Sequence, residues 1–343
     1  MVLPLSIPSP SDSWQVFHIG QWLRDIGLGW FTLNVDVRAY AICILIGIVV
    51  AALLTNRRLK QRGAEPGIVL DVALWSVVLG IIGARIFHVL THPDDYFGAG
   101  KNLWAVFYVW EGGIAIFGAL IGGAIGTYIG CRITGLRFWS FADALAPGLL
   151  LAQALGRFGN YFNHELFGLP TNLPWGLQIE SDNPAVPVGL PAGTLFLPTF
   201  LYEIIWDLIG VAVILYLGRR FRLQWGKTIA VYFIWYGIGR SYLESIRIDP
   251  SLIFLGVRTN IWAAWAAIVV GLVIFIVQSR RHPGLEPSPY LPGREWSPKP
   301  AVDSQDTYSD TDDDGNDAGI TTPTASGSRV AEKTVTSGTG TNS

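Results

Sequence analysis

The sequence predicts an all-α polytopic membrane protein with seven transmembrane helices, the N-terminus outside and the C-terminus cytoplasmic. Three observations predict it: an apolar composition, seven apolar runs of spanning length, and basic residues confined to alternate loops. Of 343 residues, 50% are hydrophobic and only 15% charged, with a mean hydropathy of +0.39. These values depart from those of soluble domains and disfavour a water-soluble globule.

A helix needs about 20 mostly apolar residues to cross about 30 Å of hydrocarbon. Six runs meet this plainly: 36–55, 68–90, 112–131, 195–217, 228–246 and 259–278. A seventh, 139–158, is interrupted by Pro147. Arg57, Arg58, Lys60 and Arg62 follow the first run, Arg132 and Arg137 the third, and Arg219, Arg220, Arg222 and Lys227 the fifth. Arg280 and Arg281 follow the last. Basic residues in short loops mark the cytoplasmic side, so these loops are expected there. The intervening loops, including 163–193, are poor in Lys and Arg.

Residues 1–35 are therefore expected outside, and 36–280 form the membrane domain. The N-terminus lacks a basic region followed by a signal-type apolar core, so the first run is expected to remain as an anchor. Residues 281–343 read as a disordered acidic cytoplasmic tail. Pro, Ser, Thr, Gly and Asp dominate it from about 283, and 301–320 holds seven Asp with no Lys or Arg. Such a segment buries too little apolar surface to offset its ordering entropy. Cys43 and Cys131 lie in or beside apolar runs and behave as small apolar residues. His88, His92 and His164 show no metal-ligand spacing. No metal, cofactor or nucleic-acid partner is expected.

Charges inside spans cost several kcal/mol unless paired or wetted, and they usually mark function. With the N-terminus outside, Tyr40, Arg85, Glu111, Arg157, Glu203 and Arg240 all fall in the outer half of the membrane. Structural ion pairs alone have no reason to choose one depth. In the sixth run Tyr236, Arg240, Glu244 and Arg247 follow at intervals of four, four and three, which lines them along one helical face. Arg240 and Arg247 outnumber Glu244 there, leaving positive charge for an anionic ligand. The bland alternative is an ion network that only orients helices.

The densest polar cluster runs from Gly156 to Gly168. Its glycines permit close backbone approach, Arg157 offers a planar fork suited to phosphate, and Asn160 and Asn163 can donate or accept hydrogen bonds. Irregular backbone at this depth must line a cavity or be buried in protein. By contrast, Gly118, Gly122, Gly126 and Gly130 recur every fourth residue as a helix-packing stripe. The 14 tryptophans suit membrane interfaces.

Gly156-Arg157-x-Gly159-Asn160-x-x-Asn163-x-Glu165-x-x-Gly168 resembles the signature of the prolipoprotein diacylglyceryl transferases. The resemblance extends over about 30–280, through Gly83-Ala84-Arg85, Trp110-Glu111-Gly112-Gly113, Asp143 with Ala146-Pro147, Pro198 with Leu201-Tyr202-Glu203, and the Tyr236 to Arg247 stripe. It implies seven spans and a site facing the outer leaflet of the bacterial cytoplasmic (inner) membrane. It further implies transfer of the diacylglyceryl group of phosphatidylglycerol to the lipobox cysteine of a prolipoprotein, giving a thioether and glycerol 1-phosphate. The expected partners are phosphatidylglycerol, the signal peptide and lipobox, and membrane lipids.

By motif, the resemblance places function on Tyr40, Arg157, Asn160, Glu165, Gly168, Arg240 and Glu244. Arg85, Asp143 and Glu203 are implied supports; Asn163, Tyr236 and Arg247 join them as candidate substrate-binding residues. Arg157, Arg240, Glu244 and Tyr40 are the candidate catalytic residues. Where many relatives read His-Gly-Gly, this chain reads Phe117-Gly118-Ala119, so His164 and Glu111 become the candidate bases. A transporter or flippase for an anionic lipid is the rival class, since buried arginines also line permeation routes; a conduit, however, needs polar residues through both membrane halves. A scaffold that docks partners on its acidic tail is a third.

Overall fold

The computed structural model describes residues 6–27, 30, 36–98 and 100–297. Among these are α1 (Ile19–Asp25), α2 (Ala39–Gln61), α3 (Ile68–Thr91), α4 (Ile116–Thr134), α5 (Phe138–Phe162), α6 (Thr199–Arg220), α7 (Lys227–Ser245) and α8 (Thr259–Arg281). Six of them, α2 to α6 and α8, are long and apolar enough to cross a membrane. Their outward faces are apolar, as Leu45, Ile48 and Leu53 on α2 and Leu70, Leu74 and Ile81 on α3 illustrate. The interrupted run is a continuous helix, α5. The run that falls short of a spanning composition is instead α7, because its apolar residues are interspersed with Tyr236, Arg240 and Glu244.

Pro147 lacks an N–H, so within α5 the carbonyl four residues earlier loses its helical partner. That carbonyl belongs to Asp143, and Arg58 Nη2 of α2 donates to it at 3.2 Å. The helix runs on because a neighbour satisfies the orphaned acceptor.

Small residues set the closest packing. Cβ atoms on Gly118, Gly122 and Gly126 of α4 would collide with the carbonyls of Gly83, Leu79 and Trp75 on α3, which bears out the packing stripe. Gly47 of α2 meets Ala152 of α5, and Gly148 of α5 meets Ala51 of α2. Between α6 and α7, Trp206 and Trp235 stack with ring centroids 4.4 Å apart. Each indole N–H donates to the other's carbonyl, and Gly239 and Gly210 leave room for the two rings.

One end of the bundle, the basic end, gathers the loops after α2, α4 and α6. Here the segment expected to start a disordered tail is folded over 283–297. The Tyr290 hydroxyl accepts from Glu65 N at 2.9 Å, and its ring is buried with Leu59, Ile68 and Leu136. Glu286 accepts from Ser140 Oγ at 2.6 Å and Trp225 N at 2.8 Å. Arg294 donates to the carbonyls of Arg132 and Ile133. Buried aromatic surface and satisfied loop carbonyls offset the ordering entropy that composition alone left uncovered. The acidic stretch 301–320 lies outside the described residues.

The opposite end carries three small antiparallel sheets. β1 (Val16–His18) pairs with β2 (Asp36–Arg38); β3 (Pro170–Thr171), β4 (Leu177–Gln178) and β5 (Leu195–Phe196) form a sheet in the order β3-β5-β4; and β6 (Ile253–Phe254) pairs with β7 (Val257–Arg258). The N-terminal segment crosses this end, with Ile7 hydrogen-bonded to Gly176 and Gln178 and Pro8 accepting from Tyr161 Oη at 2.7 Å.

Candidate active site

The site lies at this second end, where α5 finishes, α6 begins and α7 finishes. Arg157, near the end of α5, pairs through Nε with Glu203 in the first turns of α6. The other Glu203 oxygen lies 3.4 Å from Arg240 Nη1 of α7. Arg240 Nη2 is 2.8 Å from Glu244 one helical turn on. Glu244 is fully buried, which a carboxylate sustains only when paired and hydrogen-bonded. Its two oxygens also meet Arg247 Nη1 at 3.2 Å, Arg258 Nε at 3.1 Å and Asn260 Nδ2 at 2.9 Å.

The expected surplus of positive charge on this face is corrected by a residue outside the motif. Asp249 takes Arg247 in a two-pronged pair at 2.7 and 2.8 Å and also meets Arg258 at 3.3 Å. Arg247 is left with 4% side-chain exposure, against 15% for Arg240 and 23% for Arg157. Arg258, at 17%, is turned to Glu244 and Asp249, whereas Arg157 and Arg240 are the network arginines that border a cavity. They line a narrow pocket with Gln153, Glu203, Asp207 and Tyr236.

The glycine-rich motif works mainly as a loop scaffold. Arg157 Nη1 donates to Asn160 Oδ1 at 3.1 Å; Asn160 and Asn163 both donate to Glu165 Oε1, at 2.9 and 3.3 Å. His164 and Leu166 adopt φ of 52° and 61°, an uncommon conformation for such side chains. Surrounding bonds hold it: Glu165 N donates to the Asn160 carbonyl, Asn183 Nδ2 to the His164 carbonyl, and Thr199 Oγ1 to the Leu166 carbonyl. Gly168 touches Leu197 and Ile246 too closely for a Cβ, and its place opposite Arg247 joins this loop to the chain after α7. Tyr40 rests its ring on Gly159, beside Asn160 and two residues beyond Arg157.

Several motif residues are not brought to this network. All three Arg85 nitrogens are taken by carbonyls, Nε by Val106, Nη1 by Gly112 and Gly113, and Nη2 by Ala105. That arginine pins the 105–113 loop. Asp143 sits at the basic end, roughly 21 Å along α5 from Arg157 at about 1.5 Å per residue. Its carboxylate accepts from the backbone N–H groups of Gly226, Thr228 and Ile229 at 2.8, 2.9 and 3.0 Å, capping the start of α7 from another helix. Glu111 is exposed. His164 is buried, with Nδ1 3.0 Å from Glu180 and Nε2 lacking a partner. Phe117 is 40% exposed and packs near Phe87.

Sequence reasoning missed Arg258, Asp249, Asn260, Asp207 and Gln153. Asp207 carried a usable signal, as a second acid inside an apolar run one turn beyond Glu203. Asp249 lies in the loop after α7 and Arg258 ends β7, where nothing local marks a partner for Glu244 or Arg247.

Bundle and network together define a multi-pass helical membrane protein with a buried arginine–carboxylate site at one end. A family model described as prolipoprotein diacylglyceryl transferase matches residues 29–277. A phosphatidylglycerol–prolipoprotein diacylglyceryl transferase of Leifsonia xyli is 61% identical over 332 residues, covering 93% of this chain and 96% of its own length. Proteins so named from Streptomyces coelicolor, there numbered 2, and Paenarthrobacter aurescens are 42% and 46% identical, over 86% and 71% of this chain and 89% and 79% of their own lengths. The chain belongs to the prolipoprotein diacylglyceryl transferase family.

Proposed function

We propose that this protein transfers the diacylglyceryl group of phosphatidylglycerol to the thiol of a prolipoprotein's lipobox cysteine. The sulfur attacks the glyceryl carbon, a C–S bond forms, the C–O bond to phosphate breaks, and glycerol 1-phosphate leaves. The observation that carries this reading is the convergence of Arg157 and Arg240, from different helices, on the single carboxylate of Glu203.

The pocket between them measures about 20 Å³, room for about one water. A lipid phosphate therefore enters by taking the position of Glu203 between the two guanidiniums. Preorganised cations in a water-poor site stabilise negative charge as it grows on the leaving phosphate. The same positive field favours the thiolate, the reactive form of the lipobox cysteine. Glu244 holds Arg240 from below, and Asn160, with Asn163 and Glu165 behind it, holds Arg157 and offers hydrogen bonds to head-group hydroxyls. Tyr40 and Tyr236 border the reacting groups. An apolar groove of about 400 Å³, lined by Tyr202, Ile205, Ile209, Ile238 and Tyr242, shares Trp206, Gly239 and Leu243 with the polar pocket and suits an acyl chain.

For the thiol proton, His164 is the stronger candidate and Glu111 the weaker, because Nε2 of His164 is buried without a partner while Glu111 faces solvent. Arg85 and Asp143 act as positioning residues, one on the 105–113 loop and the other on α7.

We read α7 as the additional span, its polar stripe sheltered by α5, α6 and α8. The basic end then faces the cytoplasm, and the site faces the outer leaflet of the cytoplasmic membrane, where a secreted substrate presents its cysteine. Between Arg157 and the basic end, Ala142, Ala146, Leu150, Ile214 and Ile229 close the α5–α6–α7 interface, which disfavours a polar conduit for a transporter or flippase.

The test is incubation of purified protein with phosphatidylglycerol and a lipobox peptide, followed by mass spectrometry. A diacylglyceryl adduct on cysteine is expected, and none on the Cys→Ser peptide. A peptide left unmodified by folded protein contradicts the proposal.

A further inference from the structure

A second cationic concavity lies at the basic end, on the far side of the bundle from the network above. Arg57 and Arg58 near the end of α2, Arg62 just after it, Arg219 in the last turn of α6 and Arg222 beyond it line one cleft of about 460 Å³. Both α2 and α6 pack on α5, which brings their ends together. Among the described residues these five guanidiniums face two carboxylates: Glu286, 3.6 Å from Arg62, and Asp143, near Arg58 and Arg62 with its oxygens taken by backbone N–H groups of α7. Arg58 spends Nη2 on the Asp143 carbonyl, and its Nε is buried without a partner.

Basic loop residues set topology by their number. That role requires neither a shared concavity on helices distant in sequence nor a buried donor left unpaired. Like charges gathered this closely repel, and a bound anion relieves them. Apolar side chains share the lining: Leu54, Leu215 and Leu223 stand among the arginines, and their chain neighbours Leu53 and Tyr216 are exposed. A free anion has no use for such apolar surface; a phospholipid does. Basic pockets between transmembrane helices are suited to anionic head groups, with arginine forks matching phosphate oxygens.

We propose that this cleft is a second lipid site, binding the phosphate of an anionic phospholipid from the leaflet that borders the basic end, apart from the transfer reaction. The full-length protein, in neutral detergent, is titrated with dioleoylphosphatidic acid and bound lipid is counted by native mass spectrometry. Wild type is expected to bind one equivalent more than Arg57→Gln/Arg219→Gln/Arg222→Gln, or to bind its last equivalent about ten-fold more tightly. Transfer activity of the variant should match wild type, which also reports that it folds. Arg219→Gln alone gives an intermediate affinity, and settles the matter should the triple variant not fold. Equal stoichiometry and affinity in wild type and variants overturns the proposal. Displacement of the extra equivalent by millimolar inorganic phosphate overturns its assignment to a lipid.

Discussion

Arg157 on α5 is ion-paired with Glu203 on α6, and that carboxylate is 8% exposed. An ion pair so placed has given up most of its hydration, a cost that Coulombic attraction repays only in part. Since the second Glu203 oxygen reaches Arg240, one carboxylate spans the two arginines that line the polar pocket. The pair thus resembles a resting state in which a protein acid occupies the place proposed for the substrate phosphate.

Replacing Arg240 by Lys keeps the charge and removes the planar fork. Turnover is expected to fall on the order of 10²-fold, with the thermal midpoint nearly unchanged, as checked by initial rates of peptide modification and thermal unfolding in detergent. Near-normal turnover contradicts the role given to Arg240.

Glu244→Gln removes the carboxylate shared by Arg240, Arg247 and Arg258. Breaking a buried pair by deleting one partner costs about 3–5 kcal/mol, so a clear drop in unfolding midpoint is expected together with loss of transfer. An unchanged midpoint shows that Asp249 and Glu203 suffice to hold the arginines.

His164→Ala is expected to lower kcat on the order of 10²-fold and to alter the pH–rate profile, whereas Glu111→Gln leaves both within a factor of about two. An intact rate and profile in His164→Ala excludes His164 as the base and leaves the lipid phosphate as proton acceptor.

Truncation separates the two parts of the C-terminal segment. Ending the chain after Ser297 should leave transfer and unfolding midpoint unchanged. Ending it after His282 removes Glu286, Tyr290 and Arg294, and Tyr290→Ala alone should cost about 3 kcal/mol or more, as for other buried aromatics. Equal midpoints for the two truncations contradict the structural role of 283–297.

Six of the seven spans and the α4 glycine stripe were legible in the sequence because each rests on local composition or spacing, and the end of the bundle that carries the network followed from the basic residues of alternate loops. Arg157, Asn160, Asn163 and Glu165 stand within nine residues of one another and bond as neighbours, so the motif exposed them. What escaped depends on contacts distant in the chain. Asp143 reads as a charge inside a span, yet its partners are N–H groups more than 80 residues away. Arg85 reads as a ligand-binding arginine, yet backbone carbonyls of a glycine-containing loop take its donors. Tyr290 lies in a composition typical of disorder, and only the crevice beneath it explains its order.

The most direct test is the structure of the protein bound to a non-transferable phosphatidylglycerol analogue. The phosphate is expected within hydrogen-bond distance of both Arg157 and Arg240, with the Glu203 carboxylate displaced from between them. A phosphate bound elsewhere while the Arg157–Glu203–Arg240 bridge stays closed would contradict the proposed site.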